Sequence, residues 1–274
     1  MHQYHQDIPG TDGTVAHLTG YLIENSPEIE AERTRPAVIV VPGGGYEFTS
    51  DREADPIALS LLGQGYDAFV LRYSVKPAVY PAALLELARS VTIIRHRAHE
   101  WHINPDAIVI AGFSAGGHLC ACLGTGTGNA ELKNYGIDDD LAHPNGMMLG
   151  YPVITSGQYG HHDSFKALLG EQYANQALVK HLSLERNVTH DTSRTFIWHT
   201  VTDDLVPVQN SLLFVQACVE QGVPVEAHIY PHGGHGLSLG TTRTSWHGVG
   251  AVEPCVQSWM GLFTAWLGRS FPNR

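Results

Sequence analysis

Three residues of complementary chemistry, Ser114, Asp203 and His235, occur in that order along the 274-residue chain, each just beyond an apolar run. A serine hydroxyl attacks carbonyl carbon at neutral pH when an imidazole takes its proton, and a carboxylate fixes the tautomer and direction of that imidazole. The serine stands in Ala107-Ile-Val-Ile-Ala-Gly-Phe-Ser114-Ala-Gly-Gly-His118, an apolar run that breaks at glycine and continues into small helix formers. This pattern predicts a sharp strand-to-helix elbow that holds the serine oxygen clear of the backbone. Gly112 and Gly116 flank it because side chains there would collide.

The G-x-S-x-G expression is weak evidence in a chain with 29 glycines, and Gly236-Leu-Ser238-Leu-Gly240 matches it as well. No strand-like run leads directly into Ser238, Thr241-Thr-Arg-Thr244 is a poor start for a buried helix, and no aspartate follows. Ser114 is therefore the candidate nucleophile. Asp203 follows the apolar run Thr195 to His199 and precedes Val206-Pro207, which places a carboxylate on a loop at the carboxyl end of a strand. Asp204 is its rival, and the spacing D-x-x-V-P favours Asp203. His235 lies in Pro231-His-Gly-Gly-His-Gly236, after the run Val225 to Tyr230; His232 competes, but His235 is centred among glycines that can return it over the strand ends.

Donors for a developing oxyanion are expected from Val41-Pro-Gly-Gly-Gly-Tyr46, whose glycines can turn backbone N–H groups toward a ligand. Gly44 and Gly45, joined by the N–H of Ala115, are the expected donors. A phosphate cradle is the weaker reading, since Tyr46-Glu47 stands where a P-loop would end in Lys-Ser or Lys-Thr. Tyr46, Tyr151 and Phe165 are candidate walls of a substrate pocket. His161-His162-Asp163 lacks the spacing of a metal site, and the acyl-transfer chemistry calls for neither a metal nor an organic cofactor.

These residues need a frame, and the hydrophobic pattern supplies one. From Pro36 onward, short β-branched runs alternate with longer helical patterns, which predicts a mostly parallel, doubly wound sheet flanked by helices. The expected strands are Ala37 to Val41, Ala68 to Tyr73, Ala107 to Phe113, Met147 to Val153, Thr195 to His199 and Val225 to Tyr230. Helices are expected over Ala54 to Leu62, Pro81 to Trp101, Asn210 to Gln221 and Pro254 to Leu267. Val15 to Ile23 reads as one or two antiparallel edge strands. The irregular stretch from Ile154 to Arg194, with helical pieces at Ser164 to Leu169 and Ala177 to Leu182, is expected to form a small cap. The span 1–274 is expected to be a single domain with that insertion.

Composition narrows the partners. A formal charge of −11 without a basic face argues against nucleic acid and against an anionic membrane. The start of the chain lacks the basic and apolar stretches of a secretory signal, and no apolar run is long enough to span a bilayer, so a cytoplasmic location is expected. Cys120, Cys122, Cys218 and Cys255 sit in apolar, helix-like surroundings that suit reduced core residues. An exposed apolar helix face could pair subunits into a homo-oligomer; composition does not decide it.

Taken with their order, these motifs resemble an α/β-hydrolase of the bacterial esterase/lipase type, and within it the carbohydrate-esterase-like group that acts on acetyl or feruloyl esters. The resemblance runs from about Ala37 to the C-terminus and is carried by Pro42 to Tyr46, Gly112 to His118, Ser164 to Gly170, Trp198 to Asp203 and Pro231 to Gly236. It departs at Pro42, where the hormone-sensitive-lipase branch has histidine, which weighs against large lipid-like substrates. The resemblance implies a serine carboxylesterase for a small ester, with Ser114, His235 and Asp203 as its triad. The competing readings are a small serine peptidase or amidase of the prolyl-oligopeptidase type and a non-catalytic binding protein on the same scaffold.

Overall fold

A computed structural model describes residues 1–11, 13–247 and 252–272. The expected single-domain span therefore includes positions 12, 248–251 and 273–274 that lie outside the described residues. Eight strands form one sheet: β1 (His2–Pro9), β2 (Val15–Leu22), β3 (Arg35–Val41), β4 (Asp67–Arg72), β5 (Ile103–Phe113), β6 (Gly146–Gly150), β7 (Arg194–Thr200) and β8 (Val225–Tyr230). Their spatial order is β1-β2-β4-β3-β5-β6-β7-β8. The six strands from β3 to β8 run parallel, while β1 and β2 form an antiparallel hairpin that joins the edge at β4.

Side chains alternate across a strand, so a strand covered on both faces reads as a continuous apolar run. On one face, Val38, Val40, Val70, Val109 and Ala111 pack with Ile57 and Leu61 of α1 (Asp55–Leu62) and with Trp259 and Phe263 of α9 (Trp259–Ser270). On the other, Ile39, Val41, Phe69, Leu71, Ile108 and Ile110 meet Leu84, Leu87 and Val91 of α2 (Ala82–His96) and Leu119 of α3 (Ala115–Gly124). The remaining helices are α4 (Asn129–Asn134), α5 (Asp139–Ala142), α6 (His162–Leu169), α7 (Gln176–His181) and α8 (Gln209–Glu220).

The expected strands and helices are present with shifted ends. The long helix expected to Trp101 stops at His96, and the last one begins at Trp259 after a 3-10 turn at Pro254–Val256. The strand expected over Met147 to Val153 leaves the sheet after Gly150, because Tyr151 turns with φ 35°. β1 was not anticipated: its composition is polar, only Ile8 is buried, and hairpin pairing with β2 supplies its order. The stretch 154–194 carries α6 and α7, and Phe165, Leu169, Val179, Leu182 and Leu184 join the same core as the sheet. It is wedged against the sheet rather than held off it. Among the described residues, no helix is long and apolar enough to cross a membrane.

The order of strands reverses at β3, which sends the chain to β4 on one side and later to β5 on the other. In an open parallel sheet, that reversal leaves a crevice beyond the carboxyl ends of the strands. Val41 and Gly112 are register partners there, so the loops that follow β3 and β5 emerge side by side. A concavity of about 580 Å³ lies elsewhere: Pro105, Asp106 and Asn145 place it at the amino ends of β5 and β6, away from Ser114.

At the start of β4, buried Asp67 accepts the Ile23 N–H at 2.6 Å through Oδ1, and Oδ2 has no partner among the described residues. Burial pushes its carboxyl up to about 7, against the opposing pull of the Ile23 N–H and Arg35. The unfolded chain then binds fewer protons than the native one between about pH 4 and pH 7, so this group's contribution falls as pH rises through that window. Asp67→Asn keeps the acceptor and removes the charge. Denaturant unfolding at pH 5 and pH 8 should show the variant gaining on the wild type at the higher pH, by up to about 3 kcal/mol, since the Asp67 carboxyl titrates roughly two pH units above pH 5 at about 1.4 kcal/mol each. A parallel pH dependence in the two proteins would refute this.

Candidate active site

The elbow is built by backbone contact. A Cβ on Gly112 would lie 2.3 Å from the Gly116 carbonyl oxygen, and one on Gly116 would lie 2.2 Å from that of Val41. No side chain fits either place. Ser114 itself has φ 51°, a left-handed conformation that a non-glycine residue adopts only when its surroundings impose it. Here the Ser114 N–H donates to the Gly150 carbonyl at 3.0 Å, and the Ser114 carbonyl accepts from the Val153 N–H at 3.0 Å.

From that elbow the Ser114 hydroxyl donates to His235 Nε2 at 2.8 Å, and His235 Nδ1–H donates to Asp203 Oδ2 at 2.8 Å. Asp203 is fully occupied: Oδ1 accepts the N–H groups of Leu205 at 3.0 Å and Val206 at 2.9 Å, while Oδ2 also takes His199 Nε2–H at 3.2 Å. Burial alone would raise its pKa, but the hydrogen bonds from His199 and His235, the charge of His235 and the Val206 N–H outweigh it and hold the carboxyl well below the usual range. The structure thus brings Ser114, Asp203 and His235 together. Asp204 and His232 are exposed, and Ser238 is buried with its hydroxyl donating to the Arg52 carbonyl at 2.5 Å.

The glycine loop after β3 lies against this line. Gly43 N–H is committed to Glu53 Oε2 at 2.8 Å, and a Cβ on Gly43 would lie 2.8 Å from Ser114 Cβ. Among the described residues, the N–H groups of Gly44, Gly45 and Ala115 have no hydrogen-bond partner. Of the expected pocket residues, Tyr46 and Phe165 line a cleft with His118, Val153, Ser164 and Leu168 that their own side chains fill. Tyr151 lies elsewhere: its ring packs edge-on to His235 at a centroid distance of 5.1 Å, and its hydroxyl donates to Glu53 Oε1 at 2.6 Å. It supports the imidazole from behind.

Three buried polar residues escaped the sequence reading. His199 accepts the Ser211 hydroxyl at Nδ1, 2.7 Å away, and directs Nε2–H at both Asp203 and the Val206 carbonyl. Glu53 ties the glycine loop to Tyr151. His118 accepts the Tyr46 hydroxyl at Nδ1 and donates from Nε2 to the Leu182 carbonyl at 3.0 Å. Burial pushes its imidazole down to about 4, against the opposing Leu182 contact, so it is neutral at pH 7. Their burial is set by the tertiary fold, so no local pattern in the sequence marked them. His161 also faces the site: burial and the charge of His235 lower its pKa, and its Nδ1 lies 2.8 Å from Ser164 Oγ.

The chain as a whole is similar to known proteins. The family model BD-FAE matches residues 26–218. The chain belongs to the BD-FAE family. It is 36% identical over 242 residues to the endo-1,4-beta-xylanase B of Butyrivibrio fibrisolvens, covering 86% of this chain and 37% of that protein. It is 32% identical over 210 residues to the acetylxylan esterase of Xylanibacter ruminicola, covering 75% of this chain and 42% of that protein. The chain therefore spans less than half the length of these curated relatives. Among solved structures, the acetyl ester-xyloside bifunctional hydrolase from Caldicellulosiruptor lactoaceticus superposes with a TM-score of 0.80 at 38% identity, covering 94% of this chain and 89% of that one. The BD-FAE match takes in the glycine loop, the elbow and Asp203, while His235 lies beyond its end.

Replacing an orienting aspartate by asparagine costs about 10⁴-fold in kcat where a Ser-His-Asp line operates. For p-nitrophenyl acetate hydrolysis, Asp203→Asn should fall by about that factor, and Asp204→Asn should stay near wild type. A larger loss at 204 would overturn the assignment of the acid.

Proposed function

We propose that this BD-FAE chain is a serine carboxylesterase that hydrolyses short-acyl esters, acetyl esters of carbohydrates in particular, through an acyl-enzyme. The observation that carries this reading is the unbroken hydrogen-bond line Ser114–His235–Asp203 beside the unpaired N–H groups of the glycine loop. Ser114 Oγ attacks the ester carbonyl as His235 Nε2 takes its proton. The carbonyl oxygen gains negative charge and is met by the N–H groups of Gly44, Gly45 and Ala115. Collapse breaks the bond to the alcohol, which leaves with the proton from His235. Water then attacks the acyl-enzyme by the same route and frees the acid. Asp203 keeps Nδ1–H toward itself and stabilises the imidazolium formed in each step.

The acetyl preference draws on two supports. The cleft between Tyr46, His118, Val153, Ser164, Phe165 and Leu168 is too narrow to admit a water molecule, so a long acyl chain would have to displace buried side chains. The relatives include a protein named an acetylxylan esterase and a structure described as an acetyl ester-xyloside hydrolase.

Rates over p-nitrophenyl acetate, butyrate and octanoate test this. kcat/KM should fall along the series, with octanoate at least about tenfold below acetate, the change that about 1.4 kcal/mol of lost fit produces. Equal or faster turnover of octanoate would refute a closed acyl side, and full activity in Ser114→Ala would refute the mechanism.

A further inference from the structure

From the structure we infer a carbohydrate subsite beside the His235 loop, in the groove between residues 48–52 and 245–247. The inference rests on the esterase reading of the site and names where the sugar portion of the ester lies. His235 hands its proton to the departing alcohol, so the alcohol occupies the histidine side of Ser114 Oγ. The groove assigned to it adjoins the histidine loop. Arg52 Nη1 donates to the carbonyl of Gly236, the residue after His235, at 2.5 Å, and a Cβ on Gly44 would meet the Phe48 carbonyl oxygen at 2.1 Å. The groove therefore borders the histidine loop through Arg52 and the glycine loop through Phe48. Its volume of about 390 Å³ falls in the range of small-molecule sites.

The lining has the two components that a pyranose ring requires. Phe48 and Trp246, 59% and 60% exposed, place two aromatic surfaces in the walls of this one groove. A pyranose offers such surfaces its C–H face. Asp51, Arg52, Ser245 and His247 stand around the aromatics with donors and acceptors for ring hydroxyls. The floor is fixed: the Arg52 guanidinium lies 5.4 Å from the Trp246 ring centroid while bonded to Gly236, and the Arg52 carbonyl accepts from Ser238 Oγ. Asp51 is held by Arg72 at 2.8 Å through Oδ1, which leaves its second oxygen for a ligand. A neutral sugar suits this mixture, where a fatty alcohol would leave the polar rim unpaired.

The test compares ethyl acetate, whose alcohol is too small to fill the groove, with an acetylated methyl xyloside. In Trp246→Ala and in Phe48→Ala, the ratio of kcat/KM for the sugar ester to that for ethyl acetate should fall about tenfold, chiefly through KM for the sugar ester. Trp246→Phe should recover most of the loss. Unacetylated xylobiose should inhibit ethyl acetate hydrolysis by the wild type competitively, and about tenfold more weakly in Trp246→Ala. An unchanged ratio in both alanine variants would overturn the subsite and leave the esterase reading standing. Parallel loss on both substrates would likewise overturn it, by marking the aromatics as structural. A wild type active on ethyl acetate and inert toward every sugar ester would overturn the carbohydrate reading and the subsite with it.

Discussion

The site depends on one backbone contact, the close approach of the first turn of α3 to the end of β3. Gly116 meets the carbonyl groups of Val41 and Pro42, and Gly117 meets Pro152 beyond β6, with no side chain between them. The nucleophile and the loop that faces it are thereby fixed to each other at van der Waals distance. A left-handed serine costs on the order of 1–3 kcal/mol, and it persists only where the surroundings over-determine it. Hydrogen bonds from both sides, Ser114 N–H to Gly150 and Val153 N–H to Ser114, do this. Because β3, β5 and β6 are adjacent in the sheet, their register transmits directly to the distance between Ser114 and the glycine loop.

Two buried carboxylates then orient what the sheet has assembled. Removing a carboxylate from water costs several kcal/mol even after relaxation, so each must be met by donors. Asp203 is met by four, and hydrogen bonds to a charged group are worth about 1.5–3 kcal/mol each. The sum exceeds the penalty, in keeping with the lowered pKa of Asp203. His199 matters in this balance because it shares Oδ2 with His235 and is itself anchored by Ser211 and Val206. Glu53 does the corresponding work for the glycine loop. By taking the Gly43 N–H, it settles which amides of the loop remain for a ligand. Tyr151 joins the two halves, since its hydroxyl reaches Glu53 while its ring lies against His235.

What could be read from sequence follows from this division. The strands of the parallel sheet are buried on both faces, so their apolar runs are long enough to recognise, and the loops after them are located once the strands are. The preference for Asp203 over Asp204 came from its spacing to Val206, and the structure gives that spacing a physical basis: the Val206 N–H closes onto Oδ1. Local pattern failed where order comes from a distant partner. β1 has one buried residue and is held by its hairpin, and Glu53, His118 and His199 are polar residues whose burial only the tertiary fold decides. Tyr151, expected as a pocket wall, turns out of the sheet after β6, and its ring lies edge-on to His235.

The two sides of Ser114 differ in rigidity, and that difference orders the proposed chemistry. At the cleft proposed for the acyl group, a neutral His118 spans Tyr46 of the glycine loop and Leu182 of the stretch between β6 and β7. Burial keeps the imidazole uncharged, which lets one nitrogen accept and the other donate, so a single side chain locks two loops. An acyl group entering there meets a wall that can recede only by breaking those bonds. In the groove proposed for the alcohol, the walls are exposed aromatics on a floor of Arg52, and among the described residues nothing must be displaced to fill the space. The proposed selectivity for a small acyl group on a bulky polar alcohol then needs no moving lid. It follows from one side being closed by buried hydrogen bonds while the other stays open beside the residue that returns the proton.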